Sequence, residues 1–272
     1  MDTIRIENLE VFAHHEVFQE ENQLGQKFVI SAVCYLDTRK AGTTDDLQYS
    51  LNYAEVCHFM KRKMEETNHK LLESVVEQLA KALLLEYPLL KQVDLVLKKP
   101  WAPILLPLET VSVSISRKWH RVFLSIGSNL GDKEGYLDFS IDQLNAEDDT
   151  KVINIAEYIQ TEPYGNVDQD DFLNSALEIQ TLKSPEELLE FIHQIEHEAG
   201  RKRLIHWGPR TLDIDILFYD DLIVQEPDLQ IPHIEIEKRD FVLTPMVNIA
   251  PYFRHPVNGK TMRQLLEELQ TD

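Results

Sequence analysis

Apolar and polar positions along this chain alternate between the period of a strand and the period of a helix. Arg5 to Phe12 and Lys27 to Leu36 are apolar and β-branched, the composition of strands. Tyr53 to Glu66 and Leu71 to Glu86 carry helical spacing, with Leu72, Val75, Val76, Leu79 and Leu83 on one face. Val93 to Leu97 returns to a strand, and so do Val111, Val113 and Ile115, with Ser112, Ser114 and Ser116 facing away. Between them the loop from Lys98 to Glu109 holds three prolines, which cannot donate to a sheet ladder and so bar a central strand. The first half therefore reads as two strands, two helices, two strands.

A second start follows at Arg121 to Ile126, ending in Gly127-Ser128-Asn129. Helix spacing runs from Lys133 to Leu144, and strand-like runs from Val152 to Ile159 and from Leu173 to Ile179. Ser184-Pro185-Glu186-Glu187 is a capping box with proline at the first helical position, and Gly200 closes that helix. This β-α-β-β-α-β order is that of a ferredoxin-like sandwich, with further elements after Asp215. Lys118 to His120 is too short for a flexible linker, so the expected domains are 1–118 and 119–272 of an α+β protein.

Composition narrows the function. At 272 residues, 43% apolar and 27% charged, the chain is long enough for two domains with cores of their own. A net charge of −20 argues against nucleic acid or an anionic membrane as partner. No apolar run approaches the roughly eighteen residues that span a bilayer. Met1 to Glu10 lacks the basic and apolar regions of a signal peptide, and Cys34 and Cys57 are too few for a disulfide framework. A cytoplasmic protein is expected.

The candidate chemistry lies between Trp207 and Phe218. Leu212, Ile214 and Ile216 fall on one side of an extended segment and Asp213 and Asp215 on the other. Two carboxylates about 7 Å apart on one sheet face repel each other unless a cation sits between them. Upstream, Gly200 to Arg210 carries Arg201, Lys202, Arg203 and Arg210 and no acidic residue. With 47 acidic residues in the chain, an Asp-x-Asp pair alone says little; the arginines beside it make the pattern that of a polyphosphate site with Mg²⁺. No Gly-x-x-x-x-Gly-Lys is present, so a P-loop is excluded. His193 and His197 stand four apart on a helix, a spacing that zinc accepts, yet a solvated helix face is the better reading.

At these residues the second half resembles 6-hydroxymethyl-7,8-dihydropterin pyrophosphokinase. The matching strings are Phe123 to Gly131, Phe172-Leu173-Asn174, Gly200 to Arg203, Arg210 to Asp215 and Pro232-His233, with Arg239 and Phe241. The resemblance implies that Asp213 and Asp215 hold two Mg²⁺ ions bridging the phosphates of ATP. Arg201, Arg210 and Arg239 would stabilise the transferred diphosphate, with Arg203 and His233 also at the ATP. Thr161 and Asn174 would meet the pterin, and Phe172 and Phe241 would hold its ring. Leu204 and His206 stand where the family often has basic residues, and Tyr164 where smaller apolar residues are common.

Thr3 to about Arg117 resembles dihydroneopterin aldolase. The strings are His14-His15, Glu21 to Gln26, Leu51-Asn52-Tyr53, Leu71-Leu72-Glu73 and Lys99 to Pro103, with Glu16 where the family usually has glycine. By that resemblance the fold is the antiparallel-sheet tunnelling type (T-fold). Lys99 would move the proton, Glu73 would anchor the amino-pyrimidine edge, Tyr53 and Glu21 would sit near the side-chain hydroxyls, and Leu72 would give backbone contacts. A retro-aldol cleavage suits these groups: the dihydropterin C=N takes the electrons of the breaking carbon–carbon bond, so no cofactor is required. Such subunits join edge to edge, so a homo-oligomer through this domain, a tetramer or octamer, is expected. The expected whole is a bifunctional enzyme of folate synthesis acting on pterins and ATP. The alternative is a kinase with a non-catalytic, pterin-binding, oligomerising N-terminal scaffold.

Overall fold

A computed structural model describes residues 1–15, 23–163, 169–200 and 210–271. The chain divides into two compact units, Met1–Trp119 and His120–Asp272. Both are α+β with antiparallel sheets.

In the first unit the sheet order is β1 (Asp2–Ala13), β2 (Gln26–Leu36), β3 (Gln92–Lys99), β4 (Val111–Lys118). A short helix α1 (Arg39–Thr44) and two long ones, α2 (Tyr53–Glu66) and α3 (Leu72–Glu86), lie between β2 and β3 in sequence. Burial alternates along β3: Val93, Leu95, Leu97 and Lys99 are buried, and the residues between them are half-exposed. Phe28, Ile30, Ala32, Cys34 and Leu36 do the same on β2. The helices bury Val56, Phe59, Met60 and Met64 from α2 and Val75, Val76, Leu79 and Leu83 from α3. Each such side chain contributes about 1.5–3 kcal/mol. The opposite sheet face is polar: the Tyr35 hydroxyl donates to Asp94 at 2.6 Å, and Gln92 donates to Ser116 at 3.1 Å.

The proline-rich loop was expected to start at Lys98, yet β3 runs through Lys99, with Lys98 paired to Ser112 and Lys99 to Val111. The prolines begin only at Pro100, so nothing before that position interrupts the ladder.

The second unit runs β5 (His120–Ser128), α4 (Lys133–Ala146), β6 (Thr150–Ile155), β7 (Ile159–Thr161), β8 (Phe172–Thr181), α5 (Pro185–Glu198) and β9 (Asp213–Tyr219). Its sheet order is β6-β8-β5-β9 with every pair antiparallel, the ferredoxin-like arrangement, and β7 also pairs β8. The strand expected from Val152 to Ile159 is two strands. Ala156 turns inward there, buried and donating its N–H to the Ala176 carbonyl at 2.9 Å. The capping box at Ser184 is present, with both reciprocal hydrogen bonds.

The pleat of this sheet splits its core in two. Val122, Leu124, Ile126, Ile214 and Ile216 pack with Leu137, Ile141 and Leu144 of α4 and Leu188, Ile192 and Ile195 of α5. On the other face Phe123, Ala176 and Phe218 pack with α6 (Asp240–Ile249) and α7 (Met262–Thr271) through Val242, Leu243, Met246, Met262 and Leu265. No pattern of the chain had been read as those two helices. Between β9 and α6 lies a small hairpin, β10 (Val224–Gln225) with β11 (Gln230–Ile231). Among the described residues no helix is long and apolar enough to cross a membrane.

Candidate active sites

Three strands set one row of side chains at the open end of the second unit's sheet. Gly127 of β5 pairs with Asn174 of β8 on one side and with Asp213 of β9 on the other. One step along, Ser125 pairs with Ala176 and with Asp215. Because side chains alternate, Asp213 and Asp215 project from the face of β9 opposite to the buried Ile214 and Ile216.

A cavity opens over this row. Thr161, Phe172, Asn174, Arg210, Asp213, Asp215, Arg239 and Phe241 all line it. His233 is not among the lining residues. Arg201 and Arg203 lie outside the described residues.

Each lining group has a physical anchor. The Asn174 amide donates to the Thr161 hydroxyl at 2.8 Å, and its oxygen lies over Gly127, where a Cβ would stand 2.6 Å from it. Only glycine leaves room for that amide. Arg210 follows from Asn129, which is 1% exposed: the Asn129 side chain accepts from the Arg210 N–H at 2.7 Å. The Asn129 N–H donates to the Arg210 carbonyl at 3.1 Å, and its amide also donates to Gln169 at 3.0 Å. Arg239 and Phe241 flank the start of α6, with the guanidinium 5.6 Å from the Phe241 ring centre.

The charges neutralise one another in pairs. Arg210 pairs with Asp213 and Arg239 with Glu235. Burial, and after it the neighbouring Asp213, push Asp215 above the usual carboxylate range, while His233, Arg239 and Arg210 pull it the other way. A buried carboxyl raised by a second carboxyl is stabilised by a cation. The donors fit a hard divalent ion, being oxygens only. Among the described residues no group of three or more His, Cys, Asp or Glu gathers as a metal cage. Two carboxylates, with the remaining positions left to phosphate oxygens, is the manner of Mg²⁺.

In the first unit the expected residues sit on separate elements. Lys99 ends β3 and is 5% exposed, on the face that carries Val93, Leu95 and Leu97. Lys98 faces the other way and donates to the Asn8 side chain at 3.2 Å. Tyr53 opens α2 and is 64% exposed, and Asn52 caps that helix by accepting from the Ala54 and Glu55 N–H groups. Glu73, exposed, and Leu72, half-buried, form the first turn of α3. Glu21 lies outside the described residues.

Sequence reasoning gave no role to Ser125, Gly127, Asn129 or Gln169. A signal for the first two was present, since Phe123, Ser125 and Gly127 alternate with Leu124 and Ile126. Gln169 carries none. His193 and His197 are exposed on α5, as expected.

Comparison with known proteins agrees with this division. The family profile described as 7,8-dihydro-6-hydroxymethylpterin-pyrophosphokinase matches residues 123–251. The enzyme of that kind from Aquifex aeolicus is 37% identical over 147 residues, 54% of this chain and 91% of its own. The chain belongs to the pyrophosphokinase family. A second profile, dihydroneopterin aldolase, matches residues 4–116, so the pyrophosphokinase domain shares its chain with an aldolase domain. The Folic acid synthesis protein FOL1 of Dictyostelium discoideum is 30% identical over 283 residues, 94% of this chain and 43% of its own. The Bifunctional protein FolKE of Lactococcus lactis is 47% identical over 127 residues, 47% of this chain and 36% of its own. The chain thus spans less than half the length of these two relatives.

Proposed function

We propose that the chain is a bifunctional enzyme of folate synthesis, with an aldolase over residues 1–118 and a pyrophosphokinase over 119–272. The observation that carries the kinase reading is the row Asn174, Gly127, Asp213 with Asp215 one step along, all on one cavity. On this reading Asn174 meets the pterin edge two strands away from the carboxylates that hold the cations, with Gly127 between them.

In the kinase step the pterin's hydroxymethyl oxygen forms a bond to the β-phosphorus of ATP. The bond from that phosphorus to the α–β bridging oxygen breaks, AMP leaves, and the hydroxyl proton goes to solvent. Asn174 holds the pterin edge, and Phe172 and Phe241 hold its ring. Arg210 and Arg239, with Arg201 and Arg203, compensate the charge of the moving diphosphate, and His233 assists at the nucleotide. Asp213 and Asp215 would hold two Mg²⁺ ions, whose chemistry is to neutralise and align the phosphates. The rest is positioning.

In the aldolase step Lys99 manages the proton of the side-chain hydroxyl as the carbon–carbon bond breaks. Its electrons pass into the dihydropterin C=N, glycolaldehyde leaves, and the remaining carbon is protonated. Glu73 accepts two hydrogen bonds from the amino-pyrimidine edge, Leu72 offers backbone groups, and Tyr53 and Glu21 meet the hydroxyls. That Tyr53 is exposed while Lys99 is buried supports a site completed by a neighbouring subunit, in a tetramer or octamer built by this domain. The cytoplasm, with its ATP and free Mg²⁺, is the compartment we assign.

The test supplies the substrates separately. With 6-hydroxymethyl-7,8-dihydropterin and Mg-ATP the protein should release AMP, and with dihydroneopterin alone it should release glycolaldehyde. AMP without glycolaldehyde would leave the first unit as a scaffold.

A further inference from the structure

His15 and His69 lie apart in sequence but meet inside the first unit. His15 is 1% exposed, just past the end of β1, and its ring edge packs on Phe28 at 5.6 Å. The His69 N–H donates to the His15 Nδ1 at 3.2 Å, and the two rings stack 5.9 Å apart at 25°. The other side of His69 reaches forward: its Nδ1 is 3.2 Å from the Ser74 hydroxyl, in the first turn of α3. Burial, and then His69 alongside, lowers His15 to about 4, so at neutral pH its Nδ1 is available as an acceptor.

The segment so held is the entry to α3. Leu71 stands at its N-cap and supplies no side-chain cap, so the usual device for fixing a helix start is missing. The histidine pair does that work from outside. It links the end of β1, the turn before α3 and the first helical turn in one chain of contacts. Leu72 and Glu73 stand between the two contacts that His69 makes or receives.

We propose that His15 and His69 are positioning residues for the aldolase, a clamp that sets the Leu72 and Glu73 turn to receive the pterin edge. This rests on the aldolase reading of the first unit. Neither histidine touches substrate. Their effect passes through the backbone of residues 69–73 and is felt in pterin binding before it is felt in turnover.

The test uses the full chain with two substitutions and two readouts. His15→Phe keeps a ring to stack on and removes the acceptor. His15→Asn gives up the ring and keeps an acceptor near the Nδ1 position. Hydrogen exchange of the His69 and Val75 amides reads the clamp without any pterin, and steady-state cleavage of dihydroneopterin reads its consequence. For His15→Phe we expect His69 amide exchange to rise about tenfold and KM to rise about five- to tenfold, the worth of one hydrogen bond, with kcat changed less than about threefold. His15→Asn should recover most of both. Equal damage from the two substitutions would overturn the proposal, because His15 would then only fill space. Unchanged exchange in His15→Phe would overturn it as well. A wild type that leaves dihydroneopterin intact would sink the aldolase reading, and the positioning role with it, even where exchange shows the contact itself to be real.

Discussion

Gly127→Ala isolates one dimension of the pyrophosphokinase site. Gly127 does not hold a positive φ, so alanine meets no backbone strain there. Its methyl carbon would stand 2.6 Å from the Asn174 side-chain oxygen, closer than real Cβ contacts come, and 3.7 Å from the amide carbon. The sheet cannot yield, because Gly127 sits in the central strand, paired on both sides. The Asn174 amide must turn away, and it then loses the 2.8 Å bond to Thr161 and its aim at the pterin. A bound pterin edge left without its Asn174 partner costs about 1–3 kcal/mol in the complex, which is roughly a 5- to 150-fold rise in KM for 6-hydroxymethyl-7,8-dihydropterin at saturating Mg-ATP. The melting temperature should fall little, since the clash is with one side-chain end, and glycolaldehyde release should be untouched. A double-mutant cycle sharpens the test: in an Asn174→Ala background the added methyl has nothing to push, so Gly127→Ala should then cost almost nothing. An undiminished cost in that background, or no cost in the wild type, would refute the reasoning.

Other substitutions follow from the same geometry. Asp213→Ala or Asp215→Ala should abolish AMP release and leave aldol cleavage intact, and a variant keeping more than about a tenth of the kinase rate would count against a shared cation site. Lys99→Ala should lower aldolase turnover about 10²- to 10⁴-fold with little change in pterin affinity, whereas Lys98→Ala, on the opposite sheet face, should do little; the reverse order of severity would move the proton to Lys98. The first unit should lose stability as pH falls. His15 has a folded value near 4 against an ordinary 6.5, so between those values the unfolded chain takes a proton that the folded one refuses. That contribution is fully present above about pH 6.5 and fades towards pH 4, by about 3 kcal/mol at most. Urea titrations at pH 7 and pH 4.5, comparing wild type with His15→Phe, should show the variant to be the less acid-sensitive of the two.

Much of this was legible in the chain, and the reasons are local. The alternation from Leu212 to Ile216 fixed which way Asp213 and Asp215 point, because a strand's period of two leaves no other choice. The capping box at Ser184 marked the start of α5 for the same kind of reason. What could not be read depends on register and on distance in sequence. That Asn174, Gly127 and Asp213 form one row is set by how three strands pair. That Asn129 anchors Arg210 joins segments 81 positions apart. The helices α6 and α7 were missed because their apolar residues answer to a sheet face no local pattern announces. Lys99 was read in a proline-rich loop, and only the β3–β4 ladder puts it and Lys98 on opposite faces of a strand.

On this reading one chain makes and then activates the same pterin. A coupled assay decides it: the wild-type protein receives dihydroneopterin and Mg-ATP together, with no hydroxymethyl-dihydropterin added, and glycolaldehyde and AMP are followed in the same sample. Glycolaldehyde should appear first and AMP after a lag, approaching one AMP per glycolaldehyde; Lys99→Ala should suppress both, and added hydroxymethyl-dihydropterin should then restore AMP alone. AMP that appears only when that pterin is added to the wild type, with no glycolaldehyde at any time, would contradict it.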